Sequence, residues 1–329
     1  MVESFKVKDV ETLFKNISQK GEYQAIYNIP YFPDCPHHIQ GITKAYTKSN
    51  LSSSTSYTEY TIISHSSNGL IKGGCIYVQK SGDKKTTKRF YMPNKMKHPA
   101  GMQAIGPFVY IPCEKGNGMA LYIFDIRTME DENIKGFCYR QEFNHPGACV
   151  GITDCICEDE KGEKDYKYLL VVNENPKLHF YISRMCDDKD ENGNLLLSFE
   201  EIKNPKDISL KEEFGYSDFE GMGLVTDESG TPYLIAFNMH KETHNVDRMC
   251  LLKINIVNGI PSVEKLKGDN SQVRTMVAVQ KVILGELGVH FRWGTGLLVT
   301  HDNQIEITST GRNIIGGEKV ETNRWISNS

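Results

Sequence analysis

A short motif that ends in a small residue recurs five times along the 329 residues of this chain, and it limits the possible folds more than any other feature. Each motif opens with a histidine, aspartate or phenylalanine, and a glycine or alanine stands three positions later. An apolar run then follows after a turn. The small residues are Gly41, Gly101, Ala148, Gly221 and Gly294. Internal repeats at this spacing indicate that the chain uses one structural unit several times.

The repeated unit is predicted to be a blade of a β-propeller. Between the motifs the sequence consists of short apolar or alternating runs broken by Gly, Pro, Asn and Asp, which is typical of strands. A four-stranded blade needs roughly 40–50 residues, and extra length goes into loops. The segment after Gly294 is too short for a complete blade, so the run 22–31 is expected to supply the missing strand.

We therefore predict an all-β fold, a five-bladed β-propeller closed by N- and C-terminal strands, because closure leaves no free sheet edge. A β-sandwich and a two-domain all-β chain are the alternatives. The blades are expected to begin near residues 38, 98, 145, 218 and 291 of a single domain that spans residues 1–329.

Two segments have the apolar spacing of helices. The first, residues 6–20, predicts a short amphipathic helix that packs against the propeller. Its apolar positions are Val7, Val10, Leu13, Phe14 and Ile17. The second segment predicts a helical insertion near residues 273–287.

Charge and cysteine content exclude several classes of partner. The formal net charge of −4 and the pI of about 6.2 give no overall positive field, so we expect neither nucleic acid nor a membrane surface as a partner. A secretory signal and an apolar span of about 18 residues are both missing from the sequence. The nine cysteines form no C-x-x-C pair, as expected for buried thiols of a reduced, cytoplasmic protein. The oligomeric state is not predicted.

The residues that open the five motifs are predicted to form a ring at one end of the propeller axis. They are His38, His98, His145, Asp218 and Phe291. Imidazole is the commonest metal ligand in proteins and titrates near neutral pH, so a histidine ring suits either metal binding or proton transfer. His38, His98 and His145 are the candidates for a divalent metal ion. The alternative is that these histidines only form structural hydrogen bonds with the neighbouring backbone.

A second polar layer is predicted where the second strand of each blade ends. It contains His65, Glu114, Asn173, Asn238 and Ser309. Glu114 is the only carboxylate in this layer, which makes it a candidate general base together with the ring histidines. Further polar residues within the motifs are expected to face the same cavity. These residues are Gln40, Gln103, Glu220 and Arg292.

Part of this pattern resembles a known group of proteins. The segments His98–Gln103 and His145–Thr153, together with Glu114 and the run 122–125, are similar to a group of largely uncharacterised microbial β-propeller-like proteins with repeated His-Pro-x-Gly motifs. The resemblance covers about residues 95–185. It implies the fold and the pairing of His98, Glu114 and His145, but no particular reaction. The first blade departs from the pattern, with His-Ile-Gln-Gly in place of His-Pro-x-Gly.

The leading hypothesis is an enzyme that acts on a small molecule in an axial pocket, by acid–base chemistry of the lyase, cyclase or hydrolase type, with or without a metal ion. His98, Glu114 and His145 are the predicted catalytic residues. The predicted substrate-binding residues are His38, His65, Gln103, Asn173, Asp218, Glu220, Asn238 and Arg292.

Two other hypotheses remain open. A non-catalytic propeller, lectin-like or a protein scaffold, would bind ligands through blade edges or the long loops at 183–216 and 240–248. A glycosidase or nucleotidase is the third option. Glycosidase chemistry needs two carboxylates roughly 5–10 Å apart, for which Glu114 with Asp218 or Glu220 is the available pair.

Overall fold

Nearly all regular structure in this chain is antiparallel β-sheet. We analysed a computed structural model of the chain. The described residues are 5–29, 38–51, 54–68, 73–83, 87–129, 136–158, 164–189, 195–202, 208–216, 219–239, 247–264, 273–278, 288–314 and 319–328. No helix within these ranges is long and apolar enough to cross a membrane.

The strands form five sheets, each hydrogen-bonded in order from the axis outwards, and the fold is a five-bladed β-propeller, as predicted. Helix α1 is Val10–Asn16 and strand β1 is Glu22–Tyr27. Blade 1 contains β2 Ile39–Leu51, β3 Ser54–His65, β4 Cys75–Lys80 and β5 Thr87–Tyr91. Blade 2 contains β6 Gln103–Ile105, β7 Phe108–Lys115, β8 Gly118–Asp125 and β9 Phe137–Phe143.

The remaining three blades follow the same order. Blade 3 contains β10 Cys149–Glu158, β11 Lys164–Asn173, β12 Leu178–Lys189 and β13 Leu195–Glu201, followed by helix α2 Leu210–Phe214. Blade 4 contains β14 Phe219–Thr226, β15 Pro232–Met239, β16 Asp247–Val257, β17 Ile260–Glu264 and β18 Val273–Met276. Blade 5 contains β19 Val289–Val299, β20 Ile305–Gly311, β21 Lys319–Ile326 and the N-terminal β1. Two short 3-10 helices occupy Pro93–Lys95 and Ile126–Thr128.

The hydrophobic core is divided among the interfaces between neighbouring blades. Strand β11 shows how one run of sequence serves two of these interfaces, because successive side chains of a strand point to opposite faces. Leu169 and Val171 pack against blade 4, whereas Leu170 and Val172 pack against blade 2. Central strands of a blade are buried on both faces, so they appear in the sequence as continuous apolar runs rather than as alternating ones.

The predicted N-terminal helix is confirmed. Asp9 caps it by accepting a 3.0 Å hydrogen bond from the backbone N–H of Thr12. The buried face of the helix joins the core between blades 4 and 5, where it meets Trp325. The helix and its flanking residues contribute Val7, Val10, Phe14 and Ile17 to this core, and Leu13 packs against it partly buried.

The segment near 273–287, predicted to be a helical insertion, begins instead with strand β18. Strand β17 pairs only with Lys253–Val257, so the first half of β16 would be an open edge, and β18 pairs with it at Asp247–Cys250. An unpaired edge is a strong template for a further strand, and apolar spacing alone does not distinguish a short strand from a helix. Residues 279–287 lie outside the described residues.

The described cysteines are free thiols that serve mainly as small core residues. Five of the six are buried, and Cys138 is half-buried. Burial raises the pKa of the Cys113 thiol to about 12, so that thiol stays protonated at neutral pH. This agrees with the expectation that these side chains fill space in the core.

The ring is closed by β1, which pairs along its whole length with β21, as predicted. The seam between blades 5 and 1 is then held by charged groups. Lys44 Nζ lies 2.6 Å from Glu306 Oε1 and 3.0 Å from Glu59 Oε1. Glu306 is only 1% exposed and is also bound by Arg324 Nε at 2.7 Å. The buried carboxylate is therefore paired, which offsets its desolvation.

Glu59 makes the stability of this seam dependent on pH. Burial raises the pKa of Glu59, but attraction to Lys44 and hydrogen bonds from Ser81, Lys44 and Tyr46 outweigh it, so the net pKa is lowered. A lowered carboxylate pKa stabilises the fold above the unfolded value of about 4.3, and that contribution disappears as pH falls through the folded value.

We therefore expect Glu59→Gln to lower the free energy of unfolding by about 1 kcal/mol at pH 7 and to make it less dependent on pH between about 5 and 3. Urea denaturation at a series of pH values measures both effects. Glu212→Gln, on the exposed surface of α2, is the matched control and should keep the wild-type pH profile. An equal loss of stability in Glu59→Gln at pH 7 and pH 3 would contradict this assignment.

Candidate functional site

The inner strands of the five blades approach each other at the small residues of the repeated motif, as predicted. A Cβ atom placed on Gly101 would lie 2.6 Å from the Cβ of Cys149, and one placed on Gly294 would lie 3.2 Å from the backbone of Gly41. Larger side chains at these positions would separate the strands. We call these residues the small-residue ring, and the face of the propeller at which the inner strands begin the entry face.

Next to this ring the inner strands bulge away from their partners. In blade 1, Ile39 pairs with His65 and Gly41 pairs with Ser64, so Gln40 is the extra residue between them. Blade 4 has the same irregularity at Glu220, and blade 5 has a longer one between His290 and Thr295. A bulge redirects the side chain of the extra residue. The irregularity therefore occurs at the same level in three blades. The residues in these bulges lie around the axis at the entry face.

Beyond the small-residue ring the axis is filled rather than open. Gln103 is 4% exposed, and its Oε1 accepts 2.8 Å hydrogen bonds from the backbone N–H groups of Ile152 and Leu224. Its Nε2 donates to the carbonyl of Leu224 at 2.7 Å. Inner strands have no neighbour on their axial side, so this one side chain satisfies backbone groups of blades 3 and 4.

A small cavity of about 40 Å³ lies next to Gln103 and is lined by residues of all five blades. That volume holds water molecules but not a metabolite. A substrate of metabolite size would therefore not fit in this cavity.

Two of the three predicted ring histidines lie together at the entry face, and we call their surroundings the axial mouth. Gln40 Nε2 lies 2.6 Å from His38 Nε2 and 2.9 Å from His98 Nε2, so one amide joins blades 1 and 2. His98 Nδ1 lies 3.1 Å from Glu114 Oε2, although the angle is too bent for a full hydrogen bond. The side chains of His98 and Glu114 are 37% and 41% exposed, within reach of a ligand.

Aromatic and cationic groups complete the axial mouth. Trp293 belongs to the bulge of blade 5, and its ring meets the ring of His38 edge-on at 5.5 Å. The guanidinium carbons of Arg292 and Arg312 lie 4.6 Å and 4.7 Å from the centre of the indole ring. Contacts of this kind hold a cation in a defined place. The mouth therefore combines two imidazoles, one carboxylate and two fixed guanidinium groups.

The second polar layer predicted from the sequence is mostly structural. His65 Nδ1 bonds to the carbonyl of Ser66 at 2.8 Å, and Asn173 Nδ2 donates to the carbonyl of Phe219 at 2.7 Å. Ser309 likewise donates to the carbonyl of His290 at 2.7 Å. These side chains and Asn238 are at most 3% exposed. Asn173 and Ser309 thereby tie strand ends together, and Glu114 is the exception in this layer because its side chain reaches solvent.

His145, the third predicted ring histidine, belongs to a separate group on the entry side of blade 3. Its ring stacks on that of His179 with centroids 3.7 Å apart and planes 5° apart. His145 Nε2 also contacts the hydroxyl of Tyr181, and His179 Nε2 lies 2.7 Å from Glu174 Oε2. With Glu201, whose Oε1 is 3.5 Å from His179 Nδ1, these residues form what we call the blade-3 histidine cluster.

Burial is the largest influence on His145, and it lowers the pKa of the imidazole. The hydrogen bond to the Pro146 carbonyl is the next largest influence and raises the pKa, the neighbouring His179 lowers it, and nearby carboxylates raise it to a smaller extent, but the net pKa is lowered. His145 is therefore neutral at pH 7, with a lone pair on one nitrogen. A neutral imidazole is the form that binds metals and accepts protons.

The structure thus brings together His38, His98 and Glu114, and it places His145 in a different set of contacts. Glu220 is half-buried at the bulge of blade 4, and Arg292 stacks at the mouth. Asp218 and residues 240–246 lie outside the described residues. Sequence reasoning missed the other members of the cluster around His145, which are Glu174, His179, Tyr181 and Glu201. The signal available for Glu174, His179 and Tyr181 was the Asn-Pro turn between β11 and β12, which brings residues on either side of it together.

Comparison with known proteins identifies no family. No protein-family model matches the chain, and no curated protein matches it, so the group suggested by the His-Pro-x-Gly motifs stays a prediction. One similar solved structure is a bifunctional GH43-CE protein of Bacteroides eggerthii, with 12% identity, a TM-score of 0.38 and coverage of 87% of this chain. This chain spans about a third of that protein, 32% of its length.

A second similar structure is a protein of unknown function from Dyadobacter fermentans, with 11% identity and a TM-score of 0.40. The match covers 95% of this chain and all of the other. Similarity at these values transfers no activity. The fold rests on the sheet order described above, and the function on the chemistry of the site.

Gln103 allows a test of the filled axis. We expect Gln103→Leu to lower the free energy of unfolding by about 3 kcal/mol, because the buried N–H and C=O groups of Ile152 and Leu224 lose their partner. Thermal and urea unfolding measure the loss. Gln141→Leu is the matched control, since the Gln141 amide makes two hydrogen bonds to the backbone of Phe199 at a half-buried outer strand, where Gln103 makes three on the axis. Equal losses in the two variants would show that the axial position of Gln103 has no special importance.

Proposed function

We propose that this protein is an enzyme that processes a small molecule at the axial mouth, with His98 as the general acid–base and Glu114 as its partner. The observation that supports this is the arrangement of His98. One ring nitrogen lies 3.1 Å from a carboxylate oxygen, and the other faces the polar centre of the mouth in a side chain that is 37% exposed. An imidazole oriented by a carboxylate is the recurring arrangement for general-base catalysis.

We infer that Gln40 selects the tautomer of both histidines. Its Nε2 carries two hydrogens and no lone pair to offer, and it lies 2.6 Å from His38 Nε2 and 2.9 Å from His98 Nε2. Both Nε2 atoms are therefore acceptors, which places the ring hydrogen of each neutral imidazole on Nδ1. In His98 this nitrogen lies 3.1 Å from Glu114 Oε2. A substrate hydroxyl or an activated water that replaces the Gln40 amide would find a basic nitrogen ready to accept its proton.

Glu114 stabilises the charge that this step creates. When His98 Nε2 accepts a proton the ring becomes a cation, and the nearby carboxylate lowers the energy of that cation. The same proton is then available to a leaving group, so one residue serves as base and then as acid. This chemistry suits lyase, cyclase and hydrolase reactions alike.

The guanidinium groups of Arg292 and Arg312 suggest the class of substrate. They are held beside Trp293 at the edge of the mouth, and guanidinium groups bind carboxylates and phosphates in a planar, two-pronged geometry. We infer that the substrate is a small anion whose charged group binds these arginines while its reacting group lies at His98.

The proposal is tested by variants of the pair. A panel of carboxylate- and phosphate-bearing esters, lactones and glycosides is incubated with the purified chain, and turnover is followed by NMR. We expect His98→Asn to lower kcat by about 10²–10⁴-fold, the usual contribution of a general base, and Glu114→Gln to lower it by about 10–100-fold. Both side chains are partly exposed, so the melting temperatures should change little.

His301→Ala is the matched control, because its side chain is 49% exposed and lies outside the axial mouth. It should retain wild-type turnover. Unchanged kcat in His98→Asn would refute the proposed role. A panel compound could instead raise the melting temperatures of wild type and His98→Asn equally without being turned over. That result would support the non-catalytic binding propeller.

A further inference from the structure

We propose that the blade-3 histidine cluster is a binding site for a divalent transition-metal ion, with His145, His179 and Glu174 as ligands. This site is separate from the axial mouth, and the inference does not depend on the proposed function. It also differs from the metal site expected from the sequence, which combined His145 with His38 and His98.

The ligand atoms of this cluster already lie close together. One nitrogen from each histidine and a carboxylate oxygen of Glu174 lie within 4.8 Å of one another. Within the described ranges this is the one group of three or more such side chains that meets that condition. Two imidazoles and one carboxylate are a common set for zinc with an open position, and for other divalent transition metals.

The nitrogens that do not face the ion have the partners that metal-binding histidines need. His145 Nδ1 donates to the carbonyl of Pro146 at 2.8 Å, which leaves its Nε2 as a lone pair. His179 Nδ1 lies 3.5 Å from Glu201 Oε1, so that nitrogen can carry the ring hydrogen when Nε2 binds metal. A carbonyl and a carboxylate in these positions orient ligand histidines and increase their basicity.

The backbone holds the three ligands on rigid elements. His179 is in β12, where it pairs with Val172 of β11, and Glu174 follows the end of β11 directly. The backbone N–H of Glu174 donates to the carbonyl of Lys177 at 2.8 Å, which closes the turn between the two strands. His145 lies just before β10, the inner strand of the same sheet.

The present ring geometry needs one local change before an ion can bind. The two imidazoles are parallel, so both lone pairs cannot point at a single ion. The χ2 torsion of histidine is soft, and rotation of the rings exchanges the stacking contact, the Tyr181 contact and the His179–Glu174 hydrogen bond for metal–ligand bonds. Tyr181 is then available as a further oxygen near the ion.

The test uses the full chain stripped with EDTA, with Zn²⁺ alone as titrant in calorimetry and Co²⁺ alone in visible absorption. We expect one equivalent to bind with Kd of about 1 μM or tighter, as typical of a three-ligand site. His179→Ala should weaken binding by about 100-fold or more, and Glu201→Gln by about 10–100-fold through loss of the orienting contact. X-ray absorption of the wild-type Zn²⁺ complex should show two imidazole ligands. This measurement does not depend on whether any variant folds.

Two controls locate the ion. His301→Ala should bind Zn²⁺ as wild type does, because that histidine is exposed and outside the cluster. His98→Ala should also bind as wild type. Binding lost in His98→Ala but kept in His179→Ala would place the ion at the axial mouth and overturn the proposal. Failure of the wild-type chain to bind either metal at one equivalent would overturn it as well.

Discussion

The close approach of five inner strands at the propeller axis is the constraint on which the rest of this structure depends. The strands come together where glycines replace side chains, and a Cβ on Gly101 would lie 2.6 Å from a neighbouring side chain. Backbone groups on the axial sides of the inner strands need other partners, and Gln103 supplies three of those bonds.

The two polar groups at the entry face differ in chemistry. In the axial mouth, one amide of Gln40 links two histidines from different blades, and one of these faces a carboxylate. In blade 3, two stacked histidines lie between carboxylates that belong to the same sheet. The first arrangement favours proton transfer to a ligand, because one nitrogen is basic and partly accessible. The second favours a cation once the rings rotate, because ligand atoms of two imidazoles and a carboxylate lie within 4.8 Å of one another in one blade.

The sequence predicted the blade number and the closing strand because the physical requirement for small residues at the axis leaves a visible repeat. It also predicted that His98 and Glu114 would lie near each other, since one opens the inner-strand motif of blade 2 and the other ends the second strand of the same blade. It did not predict that His145 would turn to His179, because that contact depends on the register across the β11–β12 turn. The segment at 273–276 was assigned to a helix because its apolar spacing does not reveal the open edge of β16 that it covers.

The strand that completes blade 5 also has a consequence for how the ring assembles. Glu22 of β1 pairs with Arg324 of β21, so about 300 residues separate these two strands in the chain. In the other blades the two outermost paired strands follow each other directly. Loop-closure entropy makes the β1–β21 pairing cost about 3 kcal/mol more than the closure of a ten-residue hairpin. The pairing of β1 with β21 therefore has the largest loop-closure entropy cost of the strand pairings described above. Blades 1 to 4 can form an arc during synthesis, and the two ends of the chain join it into a circle afterwards.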